Sequence, residues 1–299
     1  MQRLADSLRA GETGCVAGGI YRAPASTGYV LRVNHGGDAG APITIRSAPG
    51  VRATLVGIVY VLHGSDNVTL STLTIIGTGG QNTVQIMAGD VIVEDSDITN
   101  AWKGNSCMIL GDSSGYGKAV RPIVRRNRVH ECGLLAHVNR DHGIYVNNTL
   151  DGRIIGNVFW NLRGYAIHLY PQARHMLVAH NVIDGGAPST RGGVLFGGDT
   201  DSASTDNVVE YNVIAYAHTY GIDSWWGGQT GSGNVARRNC LWRAGRGNVN
   251  TAGGGFAARA NTIVDPLFVD RRRRDYRLSP DSPCRQTVVF DAAAQLRKP

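Results

Sequence analysis

Lysine is scarce in this chain: of 30 basic residues only Lys103, Lys118 and Lys298 are lysines, and the others are arginines. That excess and a formal charge of +7 admit two readings, an arginine-favouring base composition or a polyanionic partner whose carboxylates suit the planar guanidinium fork. Charge of either sign is low at 18%, which excludes a self-repelling disordered chain. No apolar run is long enough to cross a bilayer, so no membrane partner is expected. The five cysteines, Cys15, Cys107, Cys132, Cys240 and Cys284, contain no C-x-x-C spacing, which removes the common metal and dithiol motifs. Their odd number leaves at least one thiol unpaired. Cys107 and Cys132 lie about one repeat apart, within reach of a disulfide, and the pairing stays open at this point. The segment Met1–Ala10 lacks the apolar stretch of a secretory signal. A trimmed chain, secreted or held at the cell surface, is the expectation. The run Arg271–Arg274 has no interleaved aromatics and no nucleic-acid-binding motif, so a solvated tail is expected there and no nucleic-acid partner.

Helical periodicity and interdomain linkers are missing as well. What the chain has is a phrase of apolar strand, bend and apolar strand, repeated with an asparagine at the bend: Asn127, Asn157, Asn181, Asn212, Asn239 and Asn261, at spacings of 30, 24, 31, 27 and 22 residues. Ser96 and Leu73 occupy the same slot in two earlier phrases. One such repeat cannot bury its own apolar face and must stack on its neighbours, which is the logic of a β-solenoid. A buried amide stacked coil on coil also satisfies its own donor and acceptor. The 40 glycines suit tight turns. The expected fold is therefore all-β, a single-stranded parallel β-helix forming one domain over 1–299. It comprises a cap region over 1–22 with a short amphipathic segment about Leu4 to Leu8, coils over about 43–264, and a capping tail over 265–299 that folds back on the last coil.

Between the asparagine phrases lies a second short strand: Gly143–Val146, Ala166–Leu169, Gly193–Phe196 and Gly221–Ser224, with Cys107–Leu110 as an earlier member. Alternation points Ile144, Ile167, Val194 and Ile222 inward and Tyr145, His168, Leu195 and Asp223 outward. Stacked coils then place these four in one column at steps of about 4.8 Å. Asn147, Tyr170, Gly197 and Trp225 form a second column beside it. Outward aromatics at Tyr145, Tyr170, Trp225 and Trp226 are not needed for a core and read as a platform for sugar rings.

The phrases Leu8–Tyr21, Gly40–Gly50, Asp141–Val146, Tyr165–Pro171, Asp265–Val269 and Asp275–Pro283 resemble the right-handed parallel β-helix proteins of the pectate-lyase-like superfamily over nearly the whole chain. The resemblance implies a right-handed coil and a carbohydrate-active protein, while the superfamily spans lyases, hydrolases, epimerases and phage spikes. Motifs of the characterised branches are absent. There is no Gly-His-Gly with Arg-x-Lys and no Asp-Pro-His, and Arg121-Pro-Ile-Val-Arg125 has the wrong spacing for Arg-x-Pro-x-x-Arg.

Elimination on a uronate requires a carboxylate clamp, a base for the C5 proton and an acid for the leaving oxygen. The outward column offers His168 as base, Tyr145 as acid, and Arg140 or Arg163 as clamp. Asp223 stands as a third catalytic candidate, and Asp141, His142 and Asn147 join the aromatics as substrate contacts. Asp141 and His142 equally read as a strand cap closing the loop from Glu131 to Arg140, which forms one wall of a cleft. Asp199 and Asp201, on a loop rich in oxygen donors, are the candidate calcium ligands; no cofactor is required, and calcium is the one allowed. The expected function is a polysaccharide lyase-like enzyme on an acidic polysaccharide, with a non-catalytic glycan-binding or adhesive spike and a glycoside hydrolase as alternatives. Monomer and trimer are both open, since spikes of this fold often assemble as trimers.

Overall fold

The computed structural model describes residues 1–286. The chain winds into three parallel sheets of ten strands each, in which the strands along each sheet pair with their counterparts in adjacent coils. The first sheet runs from Thr13–Val16 to Phe256–Arg259 and the second from Gly19–Arg22 to Thr262–Ile263. The third runs from Tyr29–Val33 to Gly247–Val249 and includes the short Ala119–Val120 strand. Stacking thus begins within the 1–22 segment, one full coil before the repeat legible in the sequence. Inside lies a single column of core, with Leu31, Ile45, Leu55, Leu70, Ile75, Ile98, Ile144, Ile154, Phe159, Ile167, Val178, Phe196 and Ile222 among the residues excluded from solvent.

The bend between the first two sheets has the same form in each repeat. The residue before each asparagine is left-handed: Arg126 (φ 55°), Gly156 (φ 67°), His180 (φ 57°), Tyr211 (φ 54°), Arg238 (φ 54°) and Ala260 (φ 51°). Five of the six are not glycine, so the turn costs steric energy at each coil. The asparagines offset it. Asn127 through Asn239 each donate Nδ2–H to the Oδ1 of the next at 2.9 to 3.0 Å, and each also donates to a backbone carbonyl of the preceding coil. Ser96 Oγ accepts from the Leu73 amide at 3.1 Å, which places both in the expected slot. A second, shorter stack passed unnoticed in the sequence: Asn207 Nδ2 donates to Asn234 Oδ1 at 2.8 Å.

The helix Gln2–Ser7 covers the first coil, burying Ala5 and, just past its end, Leu8. At the other end the described part of the tail, 265–286, docks on the outer flank of the second sheet. The strands Phe268–Asp270 and Asp275–Leu278 pair antiparallel, and Tyr276 is buried against Trp160 and Phe268 with its hydroxyl donating to Asp184 Oδ2 at 2.8 Å. Arg271 holds the same carboxylate through Nε and Nη2 at 2.9 and 2.8 Å and lies 3.8 Å over the Tyr216 ring. Arg274 reaches Asn161. Half of the basic run is therefore clamp and not solvated tail, because a buried carboxylate needs a cation and a donor beside it. The remainder of the tail, 287–299, lies outside the described residues. Cys107–Cys132 and Cys240–Cys284 are disulfides, and Cys15 is free.

Candidate functional site

Register in the third sheet is as alternation requires. Tyr145 lies opposite His168, His168 opposite Leu195, and Leu195 opposite Asp223. The second column is less regular. Between Val146 and Asn148 the pairing slips by one residue, opposite the stretch holding Tyr170 and Pro171, where proline has no N–H for the ladder. Asn147 is covered by the loop that carries Ser113. It is buried, its Oδ1 accepts from the Ser113 amide at 2.8 Å, and it hydrogen-bonds Tyr145. Tyr170 and Trp225 do meet, with ring centroids 6.1 Å apart. Gly197 between them permits this, since a Cβ there would sit 2.9 Å from the Tyr170 ring.

A cleft of about 710 Å³ opens over this face. Its floor carries Tyr145, His168, Tyr170, Leu195, Asp223 and Trp225; Asn139, Arg140 and His142 of the predicted loop form one wall, and Tyr165, Arg191, Ser224 and Asn250 complete it. Trp225 is 55% exposed, as a stacking platform demands. Trp226 is not part of it: its Nε1 donates to the Gly254 carbonyl, and its ring fills a space where a Cβ on Gly255 would lie 2.2 Å away.

His168 was expected on an open surface and is instead only 9% exposed. Its Nδ1 lies 2.7 Å from His142 Nε2. His142 Nδ1 in turn accepts the Tyr165 amide at 3.2 Å, so the proton of a neutral His142 must be on Nε2. Burial lowers the His142 pKa to about 3, with Arg191 adding to the effect, and holds His168 well below its usual value. Both rings are therefore neutral. His142 donates, His168 Nδ1 accepts, and the His168 proton is left on Nε2, which is buried and has no partner. This disposition makes His168 Nε2 a buried, unpartnered hydrogen-bond donor on a residue that lines the cleft, opposite to the role of base that residue type alone suggests.

Asp223 is half-buried. Its Oδ1 accepts from the Ser224 amide at 2.8 Å and from Asn250 Nδ2 at 2.9 Å. Desolvation raises its pKa against these two bonds and the Arg191 charge. Burial also raises Tyr145 far above the ordinary phenol range and Tyr165 to about 12, so both hydroxyls stay protonated.

The arginines divide differently from expectation. Arg140 is exposed on the cleft wall. Arg163 donates to the carbonyls of His137 and Pro188 and braces the loop from behind. Arg191 is the cation that matters inside. Its Nε donates to Asn139 Oδ1 at 2.9 Å, and its charge acts on His142, Tyr165 and Asp223 alike. Asp141 is structural, accepting from the Leu134 amide and from His137 Nδ1 at 2.8 Å each. The residues that sequence reasoning missed, Arg191 and Tyr165, lie with His142 in the turns just before third-sheet strands. That recurring position was the available signal.

Asp199 Oδ1 accepts three hydrogen bonds, from the Asp201 amide and from the Ser202 amide and hydroxyl. Among the described residues no three His, Cys, Asp or Glu side chains gather to hold an ion.

No curated protein matches the chain in sequence. Among solved structures it is similar to pectate lyase Pel9A, with 13% identity, TM-score 0.68, and coverage of 94% of this chain and 84% of that one. It is similar to a rhamnogalacturonan lyase, at 14% identity, TM-score 0.63 and coverage of 90% and 85%. It also resembles PfbA, a surface adhesin of Streptococcus pneumoniae, at 14% identity, TM-score 0.50 and coverage of 78% and 72%. At such identities these likenesses carry the fold and not the chemistry. The sequence profile described as "Right handed beta helix region" matches residues 56–241, well over half of the chain, and the protein belongs to that family.

Proposed function

We propose that the protein is a carbohydrate-active β-helix that binds an acidic, uronate-containing polysaccharide in this cleft and cleaves it by β-elimination. The observation that carries the reading is the composition of the cleft: one carboxylate, one unsatisfied buried N–H donor and two arginines without an ion pair among the described residues, beside an aromatic floor. Arg191, helped by Arg140, faces the uronate carboxylate and acidifies the C5 proton. Asp223, made more basic by desolvation, takes that proton. The C5–H electron pair forms the C4=C5 double bond as the C4–O bond breaks, and the leaving oxygen takes a proton supplied by His168 Nε2–H or the Tyr145 hydroxyl. Hydrolysis is less well supported, since among the described residues Asp223 is the sole carboxylate lining the cleft and hydrolases use two.

One observation favours the alternative of a non-catalytic binder. Leu195 separates His168 from Asp223 in the column, so their backbones stand two coil steps, about 10 Å, apart. The two disulfides favour an oxidising compartment and thus a secreted or surface location, and no helix among the described residues is long and apolar enough to cross a membrane.

A panel of polygalacturonate, alginate and neutral glycans, read by ultraviolet absorbance of unsaturated uronates and by reducing-sugar release, tests the reading. Absorbance on an acidic glycan, lost in Arg191→Gln, is expected. Reducing ends without absorbance would indicate hydrolysis, and silence in both channels with retained binding would leave the binder.

A further inference from the structure

The outward column does not start at Tyr145. Following the register backward, Tyr145 lies opposite Ile109, Ile109 opposite Gln85, Gln85 opposite Tyr60, and Tyr60 opposite Arg32. The same face therefore continues for four more coils toward the N-terminal end. There it carries a second hollow of about 400 Å³, lined by Tyr29, Tyr60, Gln81, Asn82, Gln85 and Tyr116, among others. Tyr29 and Tyr60 stack with centroids 5.9 Å apart, the Arg32 guanidinium lies 5.2 Å over the Tyr29 ring, and Tyr116 is 67% exposed on the loop above. Tyr29 and Thr27 are shared with a neighbouring groove of about 640 Å³ holding Arg3, Arg22 and Arg32. None of these three arginines forms an ion pair among the described residues. The balance of charge over the two hollows is positive: among the described residues three arginines face two carboxylates, Asp6 in the groove and Asp112 in the hollow.

The core gains nothing from these groups, since they stand on the outer side of strands whose inner residues are already buried. Flat rings, side-chain amides and unpaired guanidinium groups are the set that recognises an anionic sugar chain: rings stack on pyranose faces, amides bond hydroxyls, and arginine forks bind carboxylates. Spacing agrees as well. Tyr60 and Tyr145 are three coil steps apart, about 14 Å, and each step is close to the advance of one pyranose along an extended chain. We propose that the Tyr29–Tyr60–Tyr116 hollow with its arginines is a remote subsite for the same acidic polysaccharide, so that one chain lies along the third sheet from this platform to the cleft. This rests on the reading that the cleft takes a uronate glycan. It adds that recognition is longer than the cleft and favours polymers over short fragments.

The test uses alginate and polygalacturonate oligomers of graded length, from dimer to octamer, with affinity measured by calorimetry at low and high salt. Tyr60→Ala, Tyr116→Ala and Arg32→Gln are each expected to weaken octamer binding about fivefold to tenfold and to leave dimer and trimer binding unchanged, with the octamer's advantage shrinking in high salt. Tyr116 lies on an exposed loop, so its variant guards against a folding artefact. Equal octamer affinity in all three variants, with Trp225→Ala still impairing every length, overturns the remote subsite and leaves the cleft reading standing. Failure of every oligomer to bind the unaltered protein removes the cleft reading and the subsite together.

Discussion

Two columns of side chains run along this solenoid, and the difference between them lies in what each coil is free to change. At the bend between the first two sheets the same amide recurs from Asn127 to Asn261, and all but the last are consumed by the coils on both sides. On the outer face of the third sheet the residue changes at every step, from Arg32 through Tyr60, Gln85, Ile109, Tyr145, His168 and Leu195 to Asp223. The backbone ladder and the inward isoleucines and valines hold the register beneath, so the outer side chains are released from holding the fold. Repetition stabilises one column, and variation equips the other.

Exchanging a member of each column sharpens this contrast. On the outer face, His168→Ala is expected to lower turnover of folded enzyme by about a hundredfold, the worth of a proton donor in place. Its buried position also implies some loss of stability, because His142 Nε2–H is left without its acceptor. Rate must therefore be normalised to the folded fraction. A fully active His168→Ala protein would remove His168 as the donor and leave the Tyr145 hydroxyl to protonate the leaving oxygen. At the bend, Asn212→Leu should destabilise by about 1 to 3 kcal/mol, since the Asn181 amide and a carbonyl lose partners, while glycan binding by the folded protein persists. A denaturation midpoint that does not move would contradict the hydrogen-bonded stack.

A smaller effect separates the columns by pH. His142 and His168 have folded pKa values below the unfolded value near 6.5, so the unfolded chain binds protons more readily as pH falls. Their contribution to stability is full above about 6.5 and declines as pH drops toward about 3 for His142, by up to about 1.4 kcal/mol per pH unit for each ring. Melting temperatures taken between pH ~6.5 and ~5 should fall for the unaltered protein and less steeply for the His142→Phe, His168→Phe double variant. Parallel slopes would mean that the pair is hydrated and titrates normally. The Asn212→Leu protein, by contrast, should shift the whole curve without changing its slope.

How far the sequence could be read follows the same division. The bend was legible because its residue repeats, and the outward column because a period of two leaves no choice once Ile144, Ile167, Val194 and Ile222 are placed inside. The shorter Asn207–Asn234 stack escaped notice, since two members do not make a period. The covering of Asn147 by the loop that carries Ser113, and the register slip beside it opposite Pro171, are features that alternation cannot foresee. Arg163 and Arg191 are indistinguishable as residues in turns, and only the folded loop shows one bonded to carbonyls behind the wall and the other pointing its charge into the cleft.

By itself the sequence determined that the chain coils, which residues face inward and which share a column, because stacking of like repeats is a local rule applied many times. It did not determine the environment of those columns. The 131–142 loop covers His168, the His142–Tyr165 contact fixes where the histidine protons reside, and a tail more than eighty residues away from Asp184 buries that carboxylate under Tyr276 and Arg271. Each of these is a contact between segments of unlike sequence, and burial, protonation and charge compensation depend on all the groups that converge at a point in space and not on any repeat along the chain.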